Sequence, residues 1–498
     1  MVRTRRQAAL IAGHNDPIVK LPQELLWMII DYLGLDSLKN LRLVNRDLAA
    51  RCLVPSFLAR CTRPRTNLSV PYIRFLAKAA AHEVFGPLIK FLTIHATSFA
   101  KWDVNDNDDK LAEELATALR AIGTIENLDI SGKDPQEEMY AAYESAPPQP
   151  GVGKSKRALG GKRRKRRGLQ TYPERASDGF VIVLRAIARS GVSVRNLTVM
   201  EPTEKRHCCL QTVDLARALE LIKKDGSDFA AAVAATETLS LHVCTMLNTS
   251  GYPRLENEKW FRVFRIHSST EQAAQAKAPS NFTGLAGLLM PMKDLRELDI
   301  SFYNEMVGSS ATPNDAGDWY SEMFELVGQQ VRLPRLEKLN LFMVPATEAG
   351  LRNFLAGSPG LRDVMFSWMR LARGRWRPVL DDLAGMPSLR RLRLVSLTDR
   401  RNRFNLLPAA GSVTKLGDIE PSGVSAEKAN GYFCERGYHI YRREFGEEEI
   451  REGLLLDEGR TGRPVKRSPR TDKYSDMVHV KSEKFWSWLQ ECGLMQDY

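Results

Sequence analysis

The feature that most constrains the fold of this chain is a recurring pattern of three apolar positions with the spacing Leu-x-x-Leu-x-Leu. The copies are Ile89/Leu92/Ile94, Ile125/Leu128/Ile130, Val194/Leu197/Val199, Thr236/Leu239/Leu241, Phe261/Phe264/Ile266, Leu295/Leu298/Ile300, Leu336/Leu339/Leu341, Leu361/Val364/Phe366 and Leu389/Leu392/Leu394. Between copies, amphipathic stretches have the apolar spacing of helices, for example residues 111–122, 179–190, 319–330 and 348–355. One short parallel strand plus one helix per unit predicts an α/β solenoid.

The intervals between copies are irregular, and the longest runs from Ile125 to Val194. It contains residues 134–176, which are rich in Pro, Gly, Lys and Arg, and removing them leaves an interval of ordinary repeat length. We predict that this segment is a disordered basic insertion looped out of the solenoid.

Charge is concentrated in that insertion. The chain carries a formal net charge of +12, and nine of its basic residues form an acid-free run: Lys154, Lys156, Arg157, Lys162, Arg163, Arg164, Lys165, Arg166 and Arg167. Exposed basic clusters of this kind are typical of nuclear localisation signals, which predicts a nuclear and/or cytoplasmic protein. Nucleic-acid binding is an alternative that the sequence favours less, because no base-reading module accompanies the run. A purely solvating segment is a third alternative.

The N-terminal region shows a second pattern. Pro22 suits the first turn of a helix with an apolar stripe, Gly34 ends it, and Asp36 can cap a second helix that precedes a third segment reaching Leu53. This segment resembles an F-box. The resemblance rests on Leu21-Pro22, Glu24, the Leu25/Leu26/Ile29/Leu33 series, Ser37-Leu38, and the run Leu41, Arg42, Leu43, Val44, Asn45 and Arg46.

An F-box resemblance implies docking on the Skp-type adaptor of a cullin-RING ubiquitin ligase. The residues it assigns to adaptor binding are Leu21, Pro22, Leu25, Leu26, Ile29, Leu33, Leu38, Leu41 and Val44. Of these, we expect Leu21, Pro22, Leu25, Ile29, Leu41 and Val44 to form an exposed apolar patch that needs a partner. The alternative is a helical hairpin that only caps the next domain.

The downstream units resemble irregular leucine-rich repeats, and the two parts together resemble F-box/leucine-rich-repeat substrate receptors. We therefore predict a disordered basic N-terminus (1–18), an F-box of three helices (19–60), a leucine-rich-repeat solenoid (61–425) and a C-terminal cap and tail (426–498). The function implied is a non-catalytic receptor that recruits a protein target for ubiquitination. The alternative class is a nuclear interaction scaffold that acts independently of a ligase.

Residues that alternate with the leucines along each strand are expected to face a bound target. Between residues 332 and 403, fifteen Lys/Arg stand against six Asp/Glu, with Phe342, Trp368 and Trp376 interleaved, which favours an acidic or phosphorylated target. The alternative is a solvated basic face with its aromatic residues in the core. The candidate contact residues are Arg265, His267, Lys338, Asn340, Phe342, Arg391 and Arg393.

No enzyme motif is apparent. Gly153-Lys154-Ser155 resembles the end of a phosphate-binding loop, but Pro148 replaces its first glycine and no apolar strand precedes it. The seven cysteines are scattered, and neither His207-Cys208-Cys209 nor His242-x-Cys244 has a second ligand pair at zinc spacing. We therefore predict no cofactor, no metal, no catalytic residue and no membrane span.

Overall fold

The computed structural model describes most of the chain between residues 17 and 454. The described residues are 17–18, 20–33, 35–44, 46–53, 58, 62–96, 104–132, 172–200, 210–244, 278–303, 315–395, 397–399, 402–403, 431–435, 438–452 and 454.

Three short helices form the N-terminal unit: α1 (Gln23–Tyr32), α2 (Leu35–Val44) and α3 (Arg46–Arg51). Pro22 stands at the N-cap of α1, where its missing N–H costs no helical hydrogen bond. A small core of its own holds the unit together, and its buried members are Leu26, Ile30, Leu38, Leu48 and Cys52.

The rest of the described chain is built on one long, mostly parallel sheet. Its strands are β1 (Arg65–Asn67), β2 (Phe91–His95), β3 (Thr124–Ser131), β4 (Ser193–Val199), β5 (Leu210–Gln211, beside β6), β6 (Thr238–Cys244), β7 (Glu297–Tyr303), β8 (Lys338–Phe342), β10 (Asp363–Ser367), β12 (Arg391–Val395), β15 (Gly431–Glu435) and β16 (Tyr438–Phe445). Their order in the sheet is β1-β2-β3-β4-β6-β7-β8-β10-β12-β16-β15, so neighbours in the sheet largely follow one another along the chain.

The repeated apolar positions fall in register across this sheet. Leu197 of β4, Leu239 of β6 and Leu298 of β7 are direct neighbours, and the row continues to Leu339 and Val364. All of these side chains are buried, because they face the helices rather than solvent. The leucine pattern therefore aligns the strands and supplies one wall of the core.

Helices form a single layer against that wall. The helices are α4 (Val70–Ala80), α5 (Val104–Ile122), α6 (Tyr172–Ser190), α7 (Thr212–Lys224), α8 (Phe229–Val233, beside α6), α9 (Ser280–Leu289), α10 (Asp315–Gln330), α11 (Glu348–Ala356) and α12 (Trp376–Ala384). Apart from α8, each contacts the next along the chain. The result is an α/β architecture with a mostly parallel sheet, as predicted, and its stacked strand–helix units are compatible with a solenoid-like fold.

The last units carry a second, smaller sheet of four short strands. Its order is β14-β13-β11-β9, with β9 (Pro345–Thr347), β11 (Arg370–Arg373), β13 (Thr398–Asp399) and β14 (Asn402–Arg403). Strands β9 and β11 stand before α11 and α12 in the chain, so these units run strand, strand, helix.

Two predicted boundaries need correction. The copy at Phe261/Phe264/Ile266 cannot supply a strand between β6 and β7, because these two strands pair directly over seven residues. Its own residues lie outside the described part of the chain. Helix α6 begins at Tyr172, inside the segment assigned to the insertion, and Ala176 is fully buried. Pro173 in its first turn is the sequence signal for this earlier start.

The C-terminal part of the sheet changes direction. Strand β16 pairs antiparallel with β12, and β15 pairs antiparallel with β16. Phe445 is fully buried, and Ile450 of the short helix α13 (Glu447–Arg451) packs into the same core. This hairpin follows the last parallel strand of the array at the sheet end opposite β1.

Candidate interaction surfaces

Helix α1 carries apolar side chains on a wider arc than the one that packs into the small core. Leu26 and Ile30 point into the small core, whereas the neighbouring arc exposes large apolar side chains. The exposed fractions are 48% for Leu25, 60% for Met28, 37% for Ile29 and 90% for Tyr32. An exposed apolar stripe of this kind on one helix is a feature of interaction surfaces. We call Leu25, Met28, Ile29 and Tyr32 the α1 patch.

The structure divides the residues assigned to adaptor binding into two groups. Leu25, Ile29, Pro22 and Val44 are exposed, and Leu21 is partly so. Leu26 and Leu38 are fully buried, while Leu33 and Leu41 are partly buried and pack against the same core. The assignment of Leu26 and Leu38 as contact residues is therefore wrong for this conformation, because their side chains face the core. Met28 and Tyr32 belong to the exposed stripe, and the sequence analysis missed them.

Arg51 fixes the start of α1 to the end of α3. Its Nε donates a hydrogen bond to Oε1 of Gln23 at 2.8 Å, and Nε2 of Gln23 donates to the Arg51 carbonyl oxygen at 3.1 Å. A further guanidinium nitrogen of Arg51 donates to the Leu21 carbonyl oxygen. These bonds hold the orientation of the α1 patch without using any of its apolar side chains.

Phe85 links the N-terminal unit to the stacked units. It packs against the small core, and the guanidinium of Arg42 lies 5.5 Å from the centre of its ring. This contact attaches the N-terminal unit at the β1 end of the long sheet, through the segment between α4 and β2.

The sheet face opposite the helices carries three rows of side chains set by the strand register. The first row contains Thr238, Glu297, Lys338, Asp363 and Arg391. The second contains Thr198, Ser240, Asp299, Asn340, Met365 and Arg393. The third contains His242, Ser301, Phe342, Ser367 and Val395, and it is buried. We call the first two rows the open face.

About half of the basic residues of the late units are paired with acids within the protein. Nζ of Lys338 lies 3.5 Å from Oε2 of Glu297, Arg393 Nη2 lies 3.1 Å from Asp363 Oδ1, and Arg391 Nε lies 2.6 Å from Glu444 Oε1. At least eight Lys/Arg between residues 332 and 403 form such pairs: Arg335, Lys338, Arg352, Arg362, Arg373, Arg377, Arg391 and Arg393. Several of the partner acids lie outside that interval, so the charge excess counted along the sequence overstates the free basic surface.

Two of the predicted aromatic anchors are not available either. Phe342 is only 9% exposed because it stands in the buried third row. Trp376 is fully buried; its ring packs against Phe366 with centroids 5.8 Å apart, and its Nε1 donates to the Thr398 carbonyl oxygen at 3.0 Å. For Phe342 and Trp376 the alternative interpretation is therefore correct: these aromatic side chains lie in the core, and the basic face is solvated.

A further row of charged side chains was missed by the sequence analysis. It is formed by the residue that follows the first apolar position in the eight copies that supply strands between β2 and β12. Its charges alternate along the sheet until the final two: Lys90, Glu126, Arg195, Glu237, Arg296, Glu337, Arg362 and Arg390. Lys90 and Glu126 are joined at 2.8 Å, Arg195 and Glu237 at 2.9 Å. The hydrogen bond from Arg195 holds the pKa of Glu237 below its usual value. Such exposed pairs add little stability, but they disfavour slipped strand pairings.

A partly buried charge network ties three consecutive helical units together. Arg185 of α6 is 6% exposed and contacts Asp109 of α5 and Asp225 after α7. Arg189 Nη2 lies 2.7 Å from Asp225 Oδ2 and 3.1 Å from Asp109 Oδ1. All four groups find a partner of opposite charge, so the network is structural.

Two predicted sites lie outside the described residues. These are Arg265 with His267, and the basic run from Lys154 to Arg167. Within the described residues, no group of three or more His, Cys, Asp or Glu side chains could hold a metal ion. No helix found there is long and apolar enough to cross a membrane.

No known protein-family model matches this chain, and no curated protein is significantly similar to it.

Proposed function

We propose that this protein is a non-catalytic substrate receptor of a cullin-RING ubiquitin ligase. In this proposal the N-terminal helices are an F-box that docks on a Skp-type adaptor. The stacked units are leucine-rich repeats that hold a protein target. The ligase core supplies the chemistry, and the receptor raises the reaction rate by bringing the target's lysines close to the ubiquitin-carrying enzyme.

The observation that carries the proposal is the α1 patch. Leu25, Met28, Ile29 and Tyr32 are exposed on one arc of α1, while its adjacent arc already fills the small core. If the helices only capped the stacked units, this second apolar arc would have no reason to face water. Burying it against a partner supplies hydrophobic free energy, and the bonds of Arg51 keep it oriented beforehand.

The experiment is a direct binding measurement between the purified full chain and a purified Skp-type adaptor. The test variant is Leu25→Asp/Ile29→Asp, which charges the α1 patch and leaves Leu26 and Ile30 intact. The matched control is Tyr72→Asp/Phe75→Asp, because these side chains are 55% and 73% exposed on the neighbouring helix α4. Circular dichroism and thermal unfolding would first establish that both variants fold.

We expect the wild-type chain and the α4 control to bind the adaptor with similar affinity. The α1 variant should lose at least about 100-fold, which corresponds to roughly 2.7 kcal/mol. Failure of the folded wild-type chain to bind, or equal binding by the α1 variant, would overturn the proposal. The interaction scaffold that acts without a ligase would then take its place.

A further inference from the structure

Two side chains on the open face stand beside each other without satisfying their hydrogen-bonding capacity. Asp299 of β7 and Asn340 of β8 are register partners, and Nδ2 of Asn340 donates to Oδ2 of Asp299 at 2.8 Å. The other oxygen of each side chain, Oδ1, is buried and accepts no hydrogen bond within the described part of the chain. Both residues keep partial exposure, so the pair lies at the surface of the sheet.

Unsatisfied buried oxygens are rare in folded proteins because each forfeits its hydrogen bond to water. Elsewhere in the same rows, charged groups are paired inside the protein: Glu297 with Lys338, and Asp363 with Arg393. Asp299 has no ion pair among the described residues, although its carboxyl group is deeply set in the open face. Burial raises the pKa of Asp299 to about 6, against the opposing effects of the Asn340 hydrogen bond, the Lys338 charge and a hydrogen bond from the Ser301 side chain.

The pair therefore costs the fold stability that an apolar or neutral pair would not cost. Local departures from optimal stability of this kind are expected at functional sites. Oxygen acceptors on adjacent strands, one of them anionic, suit the donors of a guanidinium or ammonium group. Beyond Asn340, the nearest cation of the second row is Arg393, which lies three strands away from Asp299. At the usual strand spacing this distance is about 14 Å, which leaves room for an added cation beside Asp299.

We propose that Asp299 and Asn340 form a subsite for one cationic side chain, arginine or lysine, of a protein segment bound on the open face. The inference deepens the proposed function, since that segment would belong to the ubiquitination target. It reverses the expectation of an acidic or phosphorylated target, whose basic contacts Lys338, Arg391 and Arg393 are already paired internally.

The test begins with a random twelve-residue peptide library displayed on phage and selected on the full wild-type chain. Selected peptides are then synthesised and their affinities measured for the wild type, for Asp299→Asn and for Glu297→Gln. Glu297 is the matched control, because it lies two residues away on the same strand and face. Each peptide is also made with its basic residue replaced by citrulline, or by norleucine where that residue is lysine.

We expect the selected peptides to share a basic residue. Asp299→Asn and the neutral peptide should each weaken binding at least tenfold, and together no more than either alone. Glu297→Gln should stay within about threefold of the wild type. Asp299→Asn should also unfold at a higher denaturant concentration than the wild type at pH 7, so lost affinity would accompany gained stability.

The proposal is overturned if no peptide is enriched, if enriched peptides lack a basic residue, or if Asp299→Asn binds them as tightly as the wild type. Lower stability of Asp299→Asn would also overturn it, because that result assigns the carboxylate a structural role. Adaptor binding, measured on the same proteins, tests the receptor proposal separately. Asp299→Asn should leave adaptor affinity unchanged.

Discussion

Arg185 and Asp225 form a two-point ion pair between neighbouring helical units, with Nε 3.0 Å from Oδ2 and Nη2 3.1 Å from Oδ1. The two side chains are only 7% and 17% exposed. This fork-to-carboxylate geometry is the strongest form of salt bridge, and here it is largely shielded from water. Burial opposes ionisation of Asp225, but the bonds from Arg185 and Arg189 outweigh it and hold the carboxyl pKa below its usual value.

Replacing Asp225 with asparagine should destabilise the chain by about 2–4 kcal/mol, because it leaves the buried charge of Arg185 short of one partner. The lowered pKa of Asp225 predicts how the stability of the chain changes with pH. Asp225 contributes stability above the carboxyl pKa of the unfolded chain, near 3.9, and loses it as pH falls through the lower folded-state value. Urea unfolding at pH 7 and at pH 3 tests both statements.

Asp228→Asn is a suitable control, since Asp228 is also acidic, lies three residues away and caps α8 through the Ala231 N–H. Asparagine caps helices about as well as aspartate, so this variant should change stability by less than about 0.5 kcal/mol. Equal losses for Asp225→Asn and Asp228→Asn would contradict the assignment of the network to Arg185.

The strand positions could be predicted from the sequence because the leucine spacing is a local property. Leu298 and Leu339 lie 41 residues apart yet become neighbours, and each is recognisable from its own copy of the pattern. No local sequence pattern predicts the pairing of Arg185 with Asp225. The pairing depends on how helix α6 packs against the turn after α7. The pattern at Phe261 shows the converse, since correct spacing alone does not place a strand between β6 and β7.

The candidate site was predicted less well than the fold, for two physical reasons. A count of charges along the chain does not reveal that Arg391 is neutralised by Glu444 or Lys338 by Glu297, which stand 53 and 41 residues away. Apolar periodicity on α1 also did not separate Leu26, which is buried, from Leu25, which is exposed. The alternating row that begins with Lys90 and Glu126 lies at a fixed offset in the sequence pattern, but it alternates only when the copy at Phe261 is set aside.

The N-terminal unit should respond differently to truncations on the two arcs of α1. Leu26→Ala removes a fully buried side chain and should destabilise the unit by about 2–4 kcal/mol. Leu25→Ala removes a side chain that is 48% exposed and should cost less than about 1 kcal/mol. Hydrogen exchange of the amides of α1 and α2 would measure both effects, and similar loss of protection in the two variants would contradict the division of the helix.

Asp399 should make stability depend on pH near 6. It accepts a hydrogen bond from the Trp376 N–H at 3.1 Å at the start of α12, and burial raises its pKa to about 6 despite that bond and the nearby Arg375. A raised folded-state pKa means that Asp399 contributes stability below about pH 4 and loses it as pH rises through 6.

The stability of the wild type relative to Asp399→Asn should therefore fall by about 1–2 kcal/mol between pH 4 and pH 7. Asparagine keeps an acceptor for the Trp376 N–H but does not titrate, so subtracting its unfolding free energy at each pH removes the contributions of other groups. A difference that stays constant across this range would show that the Asp399 carboxyl titrates normally.

Helices α10 and α11 approach through two glycines, and this contact leaves no room for a methyl group. A Cβ on Gly328 would lie 2.2 Å from the Gly350 carbonyl oxygen, which is backbone and cannot move aside cheaply. Gly328→Ala should therefore destabilise the chain by about 1–3 kcal/mol, although alanine is the better helix former. Gly385→Ala is the matched control, because it follows α12 with a φ of −75° and its nearest atoms would be 3.5 Å away. The control should be neutral or slightly stabilising in thermal unfolding, and equal behaviour of the two variants would mean that the helices can separate at this contact without cost.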